Sequence, residues 1–282
     1  MTDAPARVAA VPVARSTGTA PRRSGGVVLV VEHHWTWYRR NWRATAVSSV
    51  LQPLLFLLAF GVGFGALVDG TGRAAEATGG VDYLVWLAPA LLAMSAVQTA
   101  VFESTYPVLS GFKWQRTYLA MTATPISPGQ VAVGHLAWLA IRTCGSGAIY
   151  VGVIAAFGGV RSVGILVSLL AAVLAGAAVG AVVTAFTAGV ADEGTAFTVL
   201  FRLVLIPMTL FSGTFFPVDR LPAWIRPLTW LSPLWHGTEL ARAAAVGGGA
   251  VLPAVGHVAF LLALVGGGTA VAVRRFRRRL HP

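Results

Sequence analysis

Residues 163–187 read VGILVSLLAAVLAGAAVGAVVTAFT, a run of 25 residues without a charged side chain. The hydrocarbon core of a bilayer is about 30 Å thick, and about 20 apolar residues in a helix cross it. Within lipid the backbone amides and carbonyls must bond to each other, which a helix achieves inside one segment. This run therefore predicts a membrane-spanning α-helix.

The rest of the chain has the same character. It is 56% hydrophobic and only 11% charged over 282 residues, whereas soluble domains carry about 25% charged residues. We expect an all-α polytopic membrane protein in which one domain contains six transmembrane helices. The expected spans are residues 44–67, 84–108, 129–157, 163–187, 195–216 and 252–273.

The distribution of cations predicts the orientation of these spans. Seven Arg precede the first span, Lys113 and Arg116 follow the second, and five Arg lie in RRFRRRL near the end of the chain. Loops rich in Lys and Arg stay in the cytosol, so we expect both termini there, in a bacterial inner membrane. The net charge of +11 then reflects topology, and nucleic acid is not an expected partner.

The segments outside the spans divide by composition. Residues 1–26 are rich in Ala, Pro, Arg, Ser and Thr and predict a disordered tail, and residues 276–282 form a basic cytosolic tail. Residues 27–43 contain EHHWTWYRRNWR, whose aromatic and cationic side chains favour the headgroup layer. We therefore expect an interfacial helix at 27–43, followed by a permease-like domain at 44–275.

Between the second and third spans lies GFKWQRTYLAMTATPISPGQ, residues 111–130, with the only lysine of the chain. Its spacing predicts one short helix that places Trp114, Tyr118 and Met121 on one face. Ser127, with Pro128 after it and Gln130 three positions on, predicts a capping box at the start of the third span. The segment is either an anchor on the lipid surface or a docking element for a cytosolic partner.

A second unusual segment, residues 211–243, reads FSGTFFPVDRLPAWIRPLTWLSPLWHGTELARA on the outer side. It contains too many prolines for one helix and too many apolar residues for a free loop. Pro222 and Pro233 each predict the first turn of a short helix, the second behind Ser232. The apolar surface is large enough for these helices to re-enter the outer leaflet.

These two segments together resemble the membrane subunit of type-2 ATP-binding-cassette exporters, and are similar to nodulation-factor exporter and daunorubicin-resistance permeases. The resemblance implies dimerised six-span subunits, as homodimer or heterodimer, each docked on a cytosolic ATPase that carries the ATP and Mg²⁺. By position, it implies a connecting helix at 27–43, a coupling helix at 111–125 and outer re-entrant helices at 213–243.

The resemblance also assigns candidate site residues. It implies that coupling to the ATPase involves Lys113, Trp114, Arg116 and Tyr118. It also implies an outer gate over the translocation path, formed by Phe215, Phe216, Trp224 and Trp235. Apolar, aromatic interiors suit amphipathic cargo such as lipids, lipid-linked sugars, polyketides or drugs, so lipids are expected partners as well.

Three ionisable residues, Glu103, Arg142 and Arg202, fall inside predicted spans, where charges are costly and usually paired. Counting about 1.5 Å per residue puts Glu103 and Arg202 at similar depths, roughly 8 to 10 Å from the cytosolic end, so we expect them to pair. Arg142 lies roughly 20 Å deep with no acid at its level. It either meets an anionic or glycosylated substrate or bonds backbone carbonyls.

Other functions leave fewer traces in the sequence. A P-loop needs a lysine after G-x-x-x-x-G, and Lys113 has no such loop before it; no cofactor is expected in this chain, and no catalytic role. One alternative is a membrane-embedded enzyme that acts on lipids and holds a metal at His236 and Glu239. These two residues are only two of the three or four ligands that zinc requires. A passive membrane scaffold is the other alternative.

Overall fold

The computed structural model describes residues 23–64, 78, 80–191, 193–247 and 250–280. Every regular element in these ranges is helical, which confirms the predicted all-α fold. The predicted tail lies outside them up to residue 22, as do residues 65–67 and 281–282. The α-helices are α1 (Arg23–Phe56), α2 (Tyr83–Ser104), α3 (Tyr106–Phe112), α4 (Thr117–Thr122), α5 (Pro128–Ala156), α6 (Gly164–Ala188), α7 (Glu193–Val199), α8 (Ile206–Phe211), α9 (Arg226–Trp230), α10 (Pro233–Val246) and α11 (Val251–Leu280).

Five helical stretches in the described ranges are long and apolar enough to cross a membrane. They match predicted spans two to six and confirm a polytopic membrane protein. The first predicted span, 44–67, falls on the end of α1 and the π-helical segment Leu57–Phe64, where the apolar stretch Val50–Phe60 is shorter. The five stretches are Tyr83–Phe112, Pro128–Ala156, Gly164–Ala188, Gly194–Phe211 and Val251–Leu280.

Helix α1 runs without interruption from Arg23 to Phe56. The sequence placed a boundary after residue 43, between an interfacial helix and the first span, but the helix has no break there. Trp and Arg side chains change the polarity of the helix surface at this point without changing its backbone, because neither residue type interrupts a helix.

The core forms around α2, which packs against α5, α6 and α10. Leu87, Leu91 and Leu92 of α2 are fully buried. Close approach to α6 depends on glycine: a Cβ at Gly176 would lie 3.0 Å from the carbonyl oxygen of Ala96. Without a hydrophobic force between helices in lipid, such close packing is what holds them together.

The outward faces of the stretch Gly194–Phe211 and of α11 lie outside that core, although Leu261 on the other face of α11 is buried in it. Leu203 is 70% exposed on the first, and Val251 and Leu252 are more than 80% exposed on the second. Contiguous exposed apolar surface of this kind requires lipid or another protein chain. Both helical stretches therefore line the perimeter of the subunit.

The last helix closes the C-terminal end of α6. Arg275 donates to the carbonyl of Ala185, and Arg279 donates to that of Ala188. The last carbonyls of a helix have no partner in the helix itself and carry partial negative charge. The basic end of α11 thus caps the C-terminal end of α6.

Candidate functional site

Tyr118 lies in an aromatic cluster formed with residues of α3 and α11. Its ring contacts those of Phe112 and Phe276, with centroids 5.0 and 5.4 Å away. Gly111 makes room for it, since a Cβ there would lie 2.6 Å from the tyrosine ring. Burial, and secondarily the charge of Glu103, raises the pKa of the Tyr118 phenol. Tyr118 is therefore an anchor inside the subunit and does not share the exposed surface of Lys113, Trp114 and Arg116.

The backbone explains why. The predicted single helix over 111–121 is interrupted: α3 ends at Phe112, α4 begins at Thr117, and the four residues between them form a turn. Arg116 has φ 51° and ψ 27°, in the left-handed region. This turn rotates α4 relative to α3, so Trp114 and Tyr118 no longer share a face.

What remains outside is a mixed basic and apolar surface, which we call the coupling surface: Lys113, Trp114, Arg116 and Leu119. Trp114 is 52% exposed and Leu119 is 51% exposed, and the two cations are exposed beside them. Large apolar side chains exposed next to cations are typical of a protein-binding surface. Three of the four predicted coupling residues lie here.

The capping box at the start of α5 is confirmed. The Ser127 hydroxyl accepts from the amide of Gln130, and the Gln130 side chain accepts from the amide of Ser127 at 2.7 Å. Pro128 occupies the first turn, as predicted. These bonds satisfy two amides that the helix leaves open and fix the point where the coupling segment enters the third span.

Helix α1 packs lengthwise beside α5, and both run in the same direction. Val30 fits against Gly134, where a Cβ would lie 2.6 Å from that of Val30. Four residues on, His34 stacks on Trp138 with ring centroids 5.8 Å apart. Burial, with the nearby His135 and His33, lowers the pKa of His34 to about 3, so its ring is neutral at physiological pH.

Glu103 pairs with Arg142, not with Arg202 as predicted. The Glu103 carboxylate lies 3.7 Å from Nε of Arg142, whose guanidinium also lies 5.0 Å from the centre of the Tyr38 ring. The prediction compared the depths of backbone atoms. Side chains lean toward the N-terminus of their helix, so Arg142 reaches back along α5 to the acid.

Arg202 lies elsewhere, on the π-helical segment Leu200–Leu205 within the fifth predicted span. Its side chain is exposed at the perimeter of the subunit. The preceding residue, Phe201, stacks on Phe102 of α2. Because Phe201 faces the core in this way, Arg202 points outward. The residue is thus directed toward lipid or a neighbouring chain.

A polar cavity of about 440 Å³ lies between α1, the second span, the coupling surface and α5. Glu103 and Arg142 line one part of it, and Trp114 and Gln115 of the segment between α3 and α4 line another. His34, Tyr38 and His135 also contribute to its wall. The cavity therefore connects the ion pair with the coupling surface.

On the opposite side, α10 lies antiparallel against the first half of α6. Gly164, which begins α6, faces Ala244, and Gly237 faces Ala175 near the middle of α6. The Ser168 hydroxyl donates to the carbonyl of Ala241. The N-terminal end of α10 thus reaches about half the length of a spanning helix into the subunit.

Proline sets the ends of the helices in this segment. Pro233 opens α10 behind Ser232, as predicted, but the Ser232 hydroxyl bonds to that of Ser212 and does not cap the helix. Pro222 precedes a turn, and α9 begins four residues later with Pro227 in its first turn, so the predicted start at Pro222 is wrong.

Arg242 holds the segment together. Its guanidinium donates to the carbonyls of Gly213 at 2.7 Å, Thr214 at 3.0 Å and Trp86 at 3.3 Å. It also lies 3.5 Å over the Trp86 ring and 3.6 Å from the Glu239 carboxylate. One side chain therefore fixes α10, the turn after α8 and the outer end of α2.

The four predicted gate residues do not form one cluster. Phe215 packs on Phe60 with centroids 4.8 Å apart, and its carbonyl accepts from Tyr83. Phe216 is half-buried, Trp224 is 80% exposed, and Trp235 contacts the His257 ring. Phe215 and Trp235 thus belong to the packed part of the segment and Trp224 to its surface.

His236 is engaged by residues other than Glu239. Its Nε2–H donates to the carbonyl of Trp230, so its Nδ1 accepts from Nδ1–H of His257 at 2.7 Å. Glu239 pairs with Arg242 instead. Within the described ranges no three potential ligands gather at one point, and the metal site considered from the sequence is not formed by His236 and Glu239.

Sequence reasoning missed Arg242 and His257. The available signal for Arg242 was its spacing from Glu239, three residues earlier in an otherwise apolar helix, which favours an ion pair on one face. His257 carried no local signal, because its partner lies on another helix.

Comparison with known proteins gives a consistent picture. The family described as ABC-2 type transporter matches residues 27–246. The chain is 31% identical over 234 residues to Nodulation protein J of Rhizobium meliloti (strain 1021), covering 78% of this chain and 85% of the relative. It is 33% identical over 217 residues to Nodulation protein J of Rhizobium leguminosarum bv. trifolii, covering 74% and 80%.

A third relative extends the match along the chain. Nodulation protein J of Bradyrhizobium diazoefficiens is 28% identical over 256 residues, covering 88% of this chain and 94% of the relative. The matched region contains the coupling surface, the ion pair and α10.

Proposed function

Because the chain belongs to the ABC-2 type transporter family, we propose that it is the membrane subunit of an ATP-driven exporter whose ATPase is a separate cytosolic chain. The observation that carries this proposal is the coupling surface: exposed Trp114 and Leu119 beside two cations, on a segment anchored by buried Tyr118. An exposed surface on a rigid anchor is suited to transmit force.

The anchor offers a route for that force. Tyr118 shares one buried cluster with Val30 of α1, Val131 of α5 and Phe276 of α11. A displacement of the coupling segment therefore acts on three helices at once. ATP binding would stabilise one arrangement of these helices over another, which is how a ligand-driven subunit shifts a two-state equilibrium.

The perimeter helices support a dimer. The stretch Gly194–Phe211 and α11 expose apolar surface that lipid or a second permease chain would cover. Two copies of this chain, or this chain with a relative, would enclose the translocation path.

We place the assembly in a bacterial inner membrane with both termini cytosolic. The outer segment 213–243 would be the lid, and its apolar lining suits an amphipathic cargo such as a lipid, lipid-linked sugar or drug.

The decisive test reverses charge on the coupling surface. In the native host, a tagged Lys113→Glu/Arg116→Glu double variant should lose both the copurifying ATPase and transport. The matched control is Arg161→Glu/Arg220→Glu, which makes the same change of charge at exposed positions in predicted outer loops and should retain the ATPase. Normal ATPase recovery by the coupling-surface variant would refute the assignment.

The composition of the complex tests the rest. The wild-type chain, purified in mild detergent, should give the mass of two membrane chains and two soluble ATPase chains, with ATP hydrolysis. One copy of this chain beside a different permease chain would establish the heterodimer. A chain that is recovered alone from several detergents would contradict the exporter assignment.

A further inference from the structure

The cavity between α1 and α5 contains a buried cation with unused bonding capacity. The Arg142 side chain is only 9% exposed, and its one ionic contact, at 3.7 Å, is longer than a hydrogen bond. A guanidinium carries five N–H donors. Within the described part of the chain it makes no hydrogen bond, so these donors are directed at the cavity and at the face of Tyr38.

His135 on the same wall is also unpartnered. It is 1% exposed, and neither of its ring nitrogens has a hydrogen-bond partner in the described residues. One of these nitrogens carries a proton in the neutral ring. Leaving a buried donor unsatisfied is unfavourable, so the wall of this cavity favours a ligand that supplies acceptors.

The polar groups around the cavity define the kind of ligand. Its wall has one acid, Glu103, and one cation, Arg142, together with three histidines and three tyrosines, side chains that donate hydrogen bonds in their neutral forms. Trp37, Trp114 and Trp138 add aromatic surface. The volume, about 440 Å³, lies in the range of small-ligand sites. An anionic group on an amphiphile matches both the donors and the aromatic wall.

We propose that this cavity binds a phosphate group, with Arg142 as its main ligand and His135 as a supporting donor. Arg is suited to phosphate because its planar donors match two phosphate oxygens at once. The phosphate belongs either to an amphiphile of the cytosolic leaflet or to a soluble phosphate that enters beside Trp114. Glu103 is then the internal anion that holds Arg142 when the cavity is empty, and it competes with the ligand.

This role predicts opposite effects for the two members of the ion pair. Glu103→Gln removes the competitor and should tighten phosphate binding, about threefold or more. Arg142→Gln removes the ligand and should weaken it about tenfold or more, the loss expected for a charge-assisted hydrogen bond. The double variant Glu103→Gln/Arg142→Gln leaves no unpaired buried charge and should bind as weakly as Arg142→Gln. Arg202→Gln, an exposed arginine of another span, is the control and should bind like the wild type.

The measurement is calorimetric titration of the purified full chain in phosphate-free buffer and detergent. The probes are dioctanoyl phosphatidic acid, dioctanoylglycerol with the same chains and no phosphate, and inorganic phosphate. Binding of phosphatidic acid alone assigns the site to a lipid headgroup, and equal binding of inorganic phosphate assigns it to a soluble anion. Both support the proposal.

Three results would overturn it: equal binding of phosphatidic acid and dioctanoylglycerol, unchanged binding by Arg142→Gln, or equal weakening by both single variants. The last is what a purely structural ion pair would give. Because the titration requires no ATPase and no transport, its outcome is independent of the exporter assignment.

Discussion

Replacing Arg242 by Gln should detach the outer segment from the rest of the subunit. The guanidinium donates to three backbone carbonyls between 2.7 and 3.3 Å. Hydrogen bonds from a charged donor contribute about 1.5–3 kcal/mol each, but their sum overstates the effect because burying the cation has its own cost. Breaking a buried charge network by removing one partner costs about 3–5 kcal/mol, and we expect a loss of that size in the free energy of unfolding.

Thermal unfolding of the purified protein, followed by tryptophan fluorescence, measures the loss directly. Trp86 lies under the guanidinium, so its emission also reports the local change. The matched control is Arg161→Gln, since Arg161 pairs with Asp82 on the surface and both side chains are more than half exposed. Exposed pairs contribute about 0–1 kcal/mol. Equal unfolding temperatures for the two variants would refute the role given to Arg242, and Arg242→Lys should fall between wild type and Gln.

Three further changes test other parts of the structure. Gly164→Ala should lower the unfolding temperature because its Cβ would lie 1.8 Å from the backbone oxygen of Ala244. The control is Gly152→Ala, whose Cβ would have nothing within 4 Å and which should be neutral or stabilising by up to about 1 kcal/mol. Equal effects of the two variants would contradict the α6–α10 packing. Ser127→Ala removes the capping box and should cost about 1 kcal/mol, measured as the unfolding temperature of the purified chain against wild type, and no change would show that the cap is dispensable. The pKa of His34 is about 3 in the folded chain and about 6.5 when unfolded, so below pH 6.5 the unfolded chain binds a proton that the folded chain does not. The free energy of unfolding is therefore unaffected by titration of this residue above pH 6.5 and falls progressively below it, by about 2 kcal/mol at pH 5. His34→Phe should flatten the decline of unfolding temperature between pH 7 and 5, and an unchanged slope would exclude His34 as its source.

The sequence predicted the features that depend on local composition. The spans follow from runs of apolar residues, and the start of α5 follows from Ser127, Pro128 and Gln130, whose bonds form within one turn. Such features need no knowledge of the rest of the fold. The same holds for the exposed cations between α3 and α4, because charge and position in the chain place them outside the membrane.

Features that depend on geometry between helices were not accessible. The left-handed backbone at Arg116 has no sequence signal, since residues other than glycine adopt it rarely, and it turned the predicted single helix into two. The partner of Glu103 depended on how far the Arg142 side chain extends, which depth counting ignores. Arg242 binds carbonyls of two other segments, and a sequence alone does not bring these together.

The position of Tyr118 also constrains the order in which the protein is assembled during synthesis. Its ring contacts Phe276, so the aromatic cluster that anchors the coupling segment is incomplete until the last described helix has been translated and inserted. A nascent chain that carries the earlier helices exposes the segment without its anchor. A partner that recognises the anchored form would bind completed chains and pass over unfinished ones.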